Sequence, residues 1–437
     1  MDNMNVPKLR FKEYTEPWVA DRLGNIAEIN PANKKLPESF IYIDLESVSN
    51  GELLKENKIK LLEAPSRAQR VLNIEDVLFQ MVRPYQMNNL YFNKKGNYVA
   101  STGYAQIRTK QDSKFLFQYL HYQKFVDKVI ERCTGTSYPA INSTDLSNII
   151  INYPLSTIQS PSEQTKIASF LTAVDEKIQA LKKKHSLLEQ YKKGVMQQLF
   201  SSALGLERLE DDRMNDEVKN NPTILNSQKS QFRQLRFKDK DGKDFPEWEK
   251  KKLGEVCMEH QLKNKNKETE EVFSVAKHKG VINQIEHLGR SFSAKEILHY
   301  KLIFPGDLVY TKSPTSDFPF GIIKQNRTGR IGVVSPLYCV FQPTTYALGH
   351  ILHEYFNSAI NTLNYLSPLV QKGAKNTMNI NNDTFLNGAE LLLPIDKKEQ
   401  TAIANFLSAI DEKIINCQLS IINYEKWKKG LLQKMFV

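Results

Sequence analysis

Cysteine is scarce in this chain. The four in 437 residues, Cys133, Cys257, Cys339 and Cys417, are scattered, and no CxxC pair occurs. That excludes a disulfide framework and a zinc ribbon, and it fits a reducing cytoplasm. Long apolar runs are missing too. The amino terminus, MDNMNVPKLRF, lacks the apolar centre of a secretion signal, so neither a signal peptide nor a membrane span is expected. Catalytic signatures are absent in the same way. There is no GxxxxGK[ST] phosphate loop, no GxGxxG turn and no HExxH pair. The Asn-Pro steps at Asn30-Pro31 and Asn221-Pro222 lack the second proline and aromatic residue that amino-methyltransferases place at their base pocket. His350 and His353 share a predicted helix with Tyr355 and Phe356 and read as filler rather than as metal ligands. Glu249-Lys250-Lys251 lies in a charge-rich turn and reads the same way. No metal and no catalytic residue is assigned.

Lys and Arg outnumber Asp and Glu, 60 to 49, for a net charge of +11. An excess of this sign favours a polyanionic partner, nucleic acid first.

One long stretch organises the rest. From Pro161 to Phe200, apolar residues fall at Ile167, Leu171, Val174, Ile178, Leu181, Leu188, Val195 and Leu199, with His185 and Lys192 filling the gaps. Steps of four and three alternate, giving the 3.5-residue period of a coiled-coil seam. The stretch returns 236 positions later: Glu163-Gln164 as Glu399-Gln400, Asp175-Glu176-Lys177-Ile178 as Asp411-Glu412-Lys413-Ile414, and Lys192-Lys193-Gly194 as Lys428-Lys429-Gly430. The second seam is Ile403, Leu407, Ile410, Ile414, Cys417, Ile421, Tyr424, Leu431 and Met435. Two long helices with one seam suggest that each is the other's partner. The acidic pairs beside the seam predict a solvated face or a charge contact between the helices.

The repeat reaches further. Leu9-Arg10-Phe11-Lys12 returns as Leu235-Arg236-Phe237-Lys238, Trp18 as Trp248, and Leu23-Gly24 as Leu253-Gly254. Ile74 to Met81 answers Pro305 to Lys312, and Tyr98-Val99-Ala100-Ser101 answers Gly332-Val333-Val334-Ser335. Amphipathic helices are predicted over Phe115–Phe125 and Leu348–Leu363. Mixed strands and helices indicate an α+β class. The expected layout is a globular α+β domain over 1–157, a long helix over 158–204 and an exposed linker over 205–230. A second globular domain over 231–394 and a second long helix over 395–437 follow.

With catalysis unsupported, binding remains. Basic, aromatic and amide residues in predicted loops are candidate DNA contacts. In the first half they are Arg67, Arg70, Arg83, Tyr85, Lys94, Lys95, Tyr104, Gln106 and Arg108. In the second they are Lys277, Lys279, Lys312, Ser313, Lys324, Arg327, Lys372 and Lys375. Lysine and arginine suit phosphates, while arginine and glutamine also read base edges.

These residues resemble a family. The segment PSEQTKIASFL…DEKI…KKG and its second copy, EQTAIANFLSAIDEKI…KKG, look like the paired helical regions of the specificity subunit of type I restriction–modification enzymes. The resemblance implies a non-catalytic chain in which two target recognition domains each read half of a bipartite duplex DNA site. It further implies that the helices pair antiparallel, fix the distance between the domains and dock two methyltransferase subunits, which restriction–motor subunits join. S-adenosylmethionine, ATP and magnesium would belong to those partners, with no cofactor in this chain and no membrane contact. Because the two interiors differ, the half-sites should differ. The alternative is a coiled-coil DNA-binding regulator that acts without enzyme partners.

Overall fold

The computed structural model describes residues 6–32, 35–155, 162–200, 235–290, 293, 296–372 and 378–437. The expected linker, 205–230, and the expected boundaries near 157 and 204 lie outside them. The two long helices are Glu163–Phe200, 38 residues, and Lys397–Met435, 39 residues. Each has a start signal. Ser162 Oγ accepts from the Thr165 N–H, and Asp396 Oδ1 accepts from the N–H groups of Lys398 and Glu399. No helix among the described residues is long and apolar enough to cross a membrane.

The chain forms two compact units. The first holds residues 1–184 and 417–437, the second 185–416. Each unit therefore takes in the start of one long helix and the end of the other.

In the first unit, strands Ala27–Ile29, Tyr104–Thr109, Val77–Gln80 and Leu90–Tyr91 lie side by side in that order. A second sheet runs Asn57–Lys60, Ser39–Ile43, Tyr98–Ser101, Ala68–Val71. Strand Val19–Arg22 pairs antiparallel with Ile150–Tyr153 and brings the chain back to the long helix. The second unit repeats the first sheet as Cys257–Glu259, Cys339–Pro343, Leu308–Tyr310 and Ile323–Gln325. It repeats the return pair as Glu249–Lys252 with Glu390–Leu393. The matched strands read from the repeat are found, Tyr98–Ser101 and Gly332–Val334 among them.

Each predicted amphipathic helix is divided in two. The first becomes Ser113–Tyr119 and Gln123–Ile130, because Tyr122 takes an extended backbone. The second becomes Tyr346–Asn357 and Ala359–Leu366, where Ser358 turns extended and its side chain caps the next helix through Asn361 N–H. Periodicity alone does not register such a break, because the apolar faces on either side stay in step.

The seam residues go into these cores. In the first unit Ile167, Leu171, Val174 and Ile178 join Leu431, Met435 and Phe436 in one cluster, and Ile421 is also buried. In the second, Val195, Leu199 and Phe200 join Ile403, Leu407 and Ile410. Leu181, Leu188, Ile414 and Tyr424 are half-buried. Each fully buried side chain of this size contributes about 1.5–3 kcal/mol of hydrophobic stabilisation. Trp18 meets Phe436 in the first unit and Trp248 meets Phe200 in the second, in like edge-on contacts.

Candidate nucleic-acid interface

The repeated motifs interlock within each unit. Arg10 Nε and Nη2 grip both carboxylate oxygens of Glu163 at 2.7 Å, and Arg236 Nε meets Glu399 at 3.1 Å. Gln164 donates to the Pro154 carbonyl at 2.7 Å, and Gln400 donates to that of Pro394 at 2.9 Å. Phe11 stands edge-on to Phe170, and Phe237 edge-on to Phe406. The Leu-Arg-Phe and Glu-Gln motifs are thus two sides of one joint, made twice.

The seam lysines meet the seam aspartates. In the first unit Lys428 Nζ lies 2.6 Å from Asp175, and Lys182 lies 2.7 Å from Glu425. The Cys417 thiol donates to the Leu181 carbonyl. In the second unit Lys192 Nζ lies 2.7 Å from Asp411. These contacts run antiparallel, and they make the expected interhelical charge contact real for Asp175 and Asp411. Lys192 also reaches Glu354 at 2.8 Å. Burial works against the Lys192 charge, but Glu354 and Asp411 outweigh it and raise its pKa. Burial likewise opposes the charge on Glu354. His350, whose Nε2 lies 3.6 Å away, and the Lys192 ammonium at 2.8 Å still hold its carboxyl well below the usual range.

His350, Glu354 and Asp411 come close enough together to suggest a metal site. Cations already fill that space. Lys192 bridges both carboxylates, and Arg327 lies 3.8 Å from Glu354 and 3.7 Å from Asp411. His353 is occupied as well, its Nδ1 accepting from the Gln325 N–H. The filler reading of the two histidines becomes a structural role in the second core.

The DNA-contact candidates separate into three groups. Tyr104 is fully buried, and Gln106 is 1 % exposed and donates to the Val71 carbonyl and to Asp76. Lys324 is 2 % exposed, bound to Asn357 and, through burial, pushed down to about 8. These three hold the interior, which corrects their reading as surface contacts. Their strands are buried on both faces, throughout Tyr104–Ile107 and Ile323–Gln325, and their polar ends made them look exposed. A second group is tied to carboxylates or amides. Arg108 forks onto buried Asp76, Lys94 pairs with Glu56, Lys277 with Asp317, Arg327 with Glu354 and Asp411, and Lys312 donates to Asn382. The third group has no carboxylate partner among the described residues. It comprises Arg67, Lys95 and Lys279, exposed; Tyr85, 50 % exposed; Ser313, exposed; and Arg70 and Arg83, half-buried. Burial pulls the Arg70 guanidinium below its ordinary value, and its Nε has no hydrogen-bond partner. Lys372 lies on the short strand Gln371–Lys372, and Lys375 lies outside the described residues.

Sequence reasoning missed Tyr138, whose ring lies under the Arg83 guanidinium at 4.3 Å. Its loop, Thr134 to Pro139, is polar and contains Gly135, but nothing in the spacing links it to residue 83.

Residues 15–190 match the model of the type I restriction modification DNA specificity domain. No curated protein matches the chain significantly. Among solved structures, the chain is similar to the S subunit of a type I restriction-modification system from M. genitalium. The two share 11 % identity over 99 % of each chain, with a TM-score of 0.54. It is also similar to an HsdS subunit from Thermoanaerobacter tengcongensis, at 20 % identity over 97 % of this chain and 98 % of that one, with a TM-score of 0.42. The first half of the chain, through residues 15–190, thus matches the type I restriction modification DNA specificity domain, and the second half repeats the same layout.

Proposed function

We propose that this chain is the non-catalytic, DNA-reading subunit of a type I restriction–modification complex. Each unit reads one half of an asymmetric bipartite duplex site. The paired helices set the spacing and dock two methyltransferase subunits, and restriction–motor subunits join that assembly. S-adenosylmethionine, ATP and magnesium work in those partners. One observation carries this reading: the same frame is built twice around unlike loops. Arg10–Glu163 and Arg236–Glu399 lock equivalent joints, and the central sheets share one strand order. Yet where the first unit presents Arg83-Pro84-Tyr85, the second presents Ser313-Pro314-Thr315. A constant scaffold with different loops suits two different half-sites.

The outer helix faces support two docking points of one kind. Tyr191 and Gly194 on the first helix answer Trp427 and Gly430 on the second, with both rings about half exposed. Residues three apart share a helix face.

Long-read mapping of methylated adenine, in cells with and without this chain, tests the proposal. A chain-dependent bipartite site is expected. Exchanging residues 26–153 for those of a relative should then change one half-site only. No chain-dependent methylation, or a change in both halves after the exchange, overturns the reading.

A further inference from the structure

We propose that Arg83, braced by Tyr138, reads a guanine edge in the half-site bound by the first unit, an inference that rests on the function proposed above. Strand Val77–Gln80 leads into a turn, Pro84–Gln86, flanked by two left-handed residues that are not glycine: Arg83 at φ 55°, ψ 53° and Met87 at φ 53°, ψ 32°. That region is uncommon for such residues, and a following proline disfavours it further. The turn is held in place from several sides. Arg83 N–H donates to the Pro139 carbonyl at 2.7 Å, and Val82 bridges Ala140. Beneath it, Gln80 is 2 % exposed. Its amide donates to the Val82 carbonyl and to Gln86, and accepts from the Asn88 N–H. Strained backbone kept in place by such a network clusters at functional sites.

The strain has a visible product. It sets the Arg83 guanidinium over the ring of Tyr138, a side chain 63 % exposed, beside the half-exposed Tyr85. Arg108, Lys94, Lys277, Arg327 and Arg330 are all bound to carboxylates; Arg83 has none among the described residues. Stacking covers one face of the guanidinium and leaves its N–H donors in the plane. That planar fork spans O6 and N7 of guanine in the major groove with two parallel hydrogen bonds, a fixed geometry that a flexible lysine ammonium holds less firmly. A pre-set rotamer also reduces the ordering lost on binding. The corresponding step of the second unit, Ser313-Pro314, has no arginine, so the effect belongs to one half-site.

The test maps methylated sites in cells making the full chain with its partner subunits, comparing the native chain with Arg83→Ala, Arg83→Lys and Tyr138→Ala. Thermal melts of each purified chain accompany the mapping. Arg83→Ala and Arg83→Lys should both relax one G·C position of one half-site, lowering discrimination there roughly 5- to 100-fold. The other half-site should stay unchanged. Tyr138→Ala should relax the same position. Overturning results are an unaltered site with native selectivity, or an even loss of methylation at every site, which marks a phosphate contact. If Arg83→Ala melts early, Arg83→Lys decides, since it keeps the charge and removes the fork. A native chain with no chain-dependent site overturns the subunit reading itself, and this inference with it.

Discussion

Gly194 and Gly430 occupy equivalent positions inside the two long helices, and a side chain added at either would meet nothing within 4 Å. Glycine in a helix interior costs about 0.8–1.0 kcal/mol relative to alanine. Within the isolated chain nothing offsets that cost. Gly194→Ala and Gly430→Ala should therefore each stabilise the chain by about 1 kcal/mol, and the double variant by about 2. At roughly 2–4 °C per kcal/mol for a unit of this size, a thermal melt resolves the gain. Tyr191 and Trp427 lie on the same exposed faces; under the proposed function, a docked methyltransferase subunit would approach the backbone through this open space. A new methyl group there should weaken assembly while the chain itself gains stability. Melting of the purified chain and co-purification with the methyltransferase subunits measure the two effects separately. A stabilised chain that assembles normally refutes the docking argument. A chain that loses stability refutes the claim of open space.

The seam lysines give an unequal pair. Lys192→Met leaves Glu354, whose side chain is 3 % exposed, with the longer contacts to Arg327 and His350 and should cost about 2–3 kcal/mol; Lys428→Met leaves only the quarter-exposed Asp175 and should cost about 1 kcal/mol. Denaturant unfolding of both variants checks the order, and equal losses refute it. His353 is buried and neutral, its pKa lowered from 6.5 to about 3 chiefly by burial, so its contribution is complete above pH 6.5 and drains away as pH falls towards 3. By pH 5 the loss should be about 2 kcal/mol, and His353→Gln should flatten that part of the stability–pH curve. Inserting four residues after Leu181 alone shifts that helix by about 6 Å and breaks register with either Asp411 or Lys428; a matching insertion after Cys417 should restore both pairs and lengthen the DNA gap by one or two base pairs of about 3.4 Å, read from the methylated site.

The long helices were legible because their pattern is one-dimensional. A 3.5-residue seam needs no knowledge of what packs on it, and repetition at a fixed offset removed chance matches. The joints were half legible. Leu-Arg-Phe and Glu-Gln were seen as repeated strings, but nothing in the sequence says that Arg10 meets Glu163 across 153 positions. The loop candidates were the least legible. Burial of Tyr104 and Gln106 depends on strand register, and capture of Lys94 by Glu56 depends on a fold contact 38 positions away. Composition reports that a lysine is present, not whether its charge is already spoken for.

Both helix ends in a unit belong to different repeats, and that arrangement explains where the sequence is free to vary. The first unit's core needs Ile167 and Leu171 from one repeat and Leu431 and Phe436 from the other. A change at a joint therefore has to be tolerated by elements from two repeats at once, whereas a loop answers only to its own sheet. The small departures from symmetry follow the same logic. The helix caps Asp112 and Thr345 meet Gln164 and Gln400, which fixes the alignment of the two repeats and makes His121 of the first the equivalent of Glu354 of the second. The first unit thus leaves its seam lysine, Lys428, paired to one aspartate, while the second gives Lys192 two carboxylates and recruits Arg327 as well. The frame is shared in geometry but not in electrostatics. Where a buried carboxylate replaces a histidine, the neighbouring cations must follow, and a basic loop residue such as Arg327 is drawn from the surface into the frame.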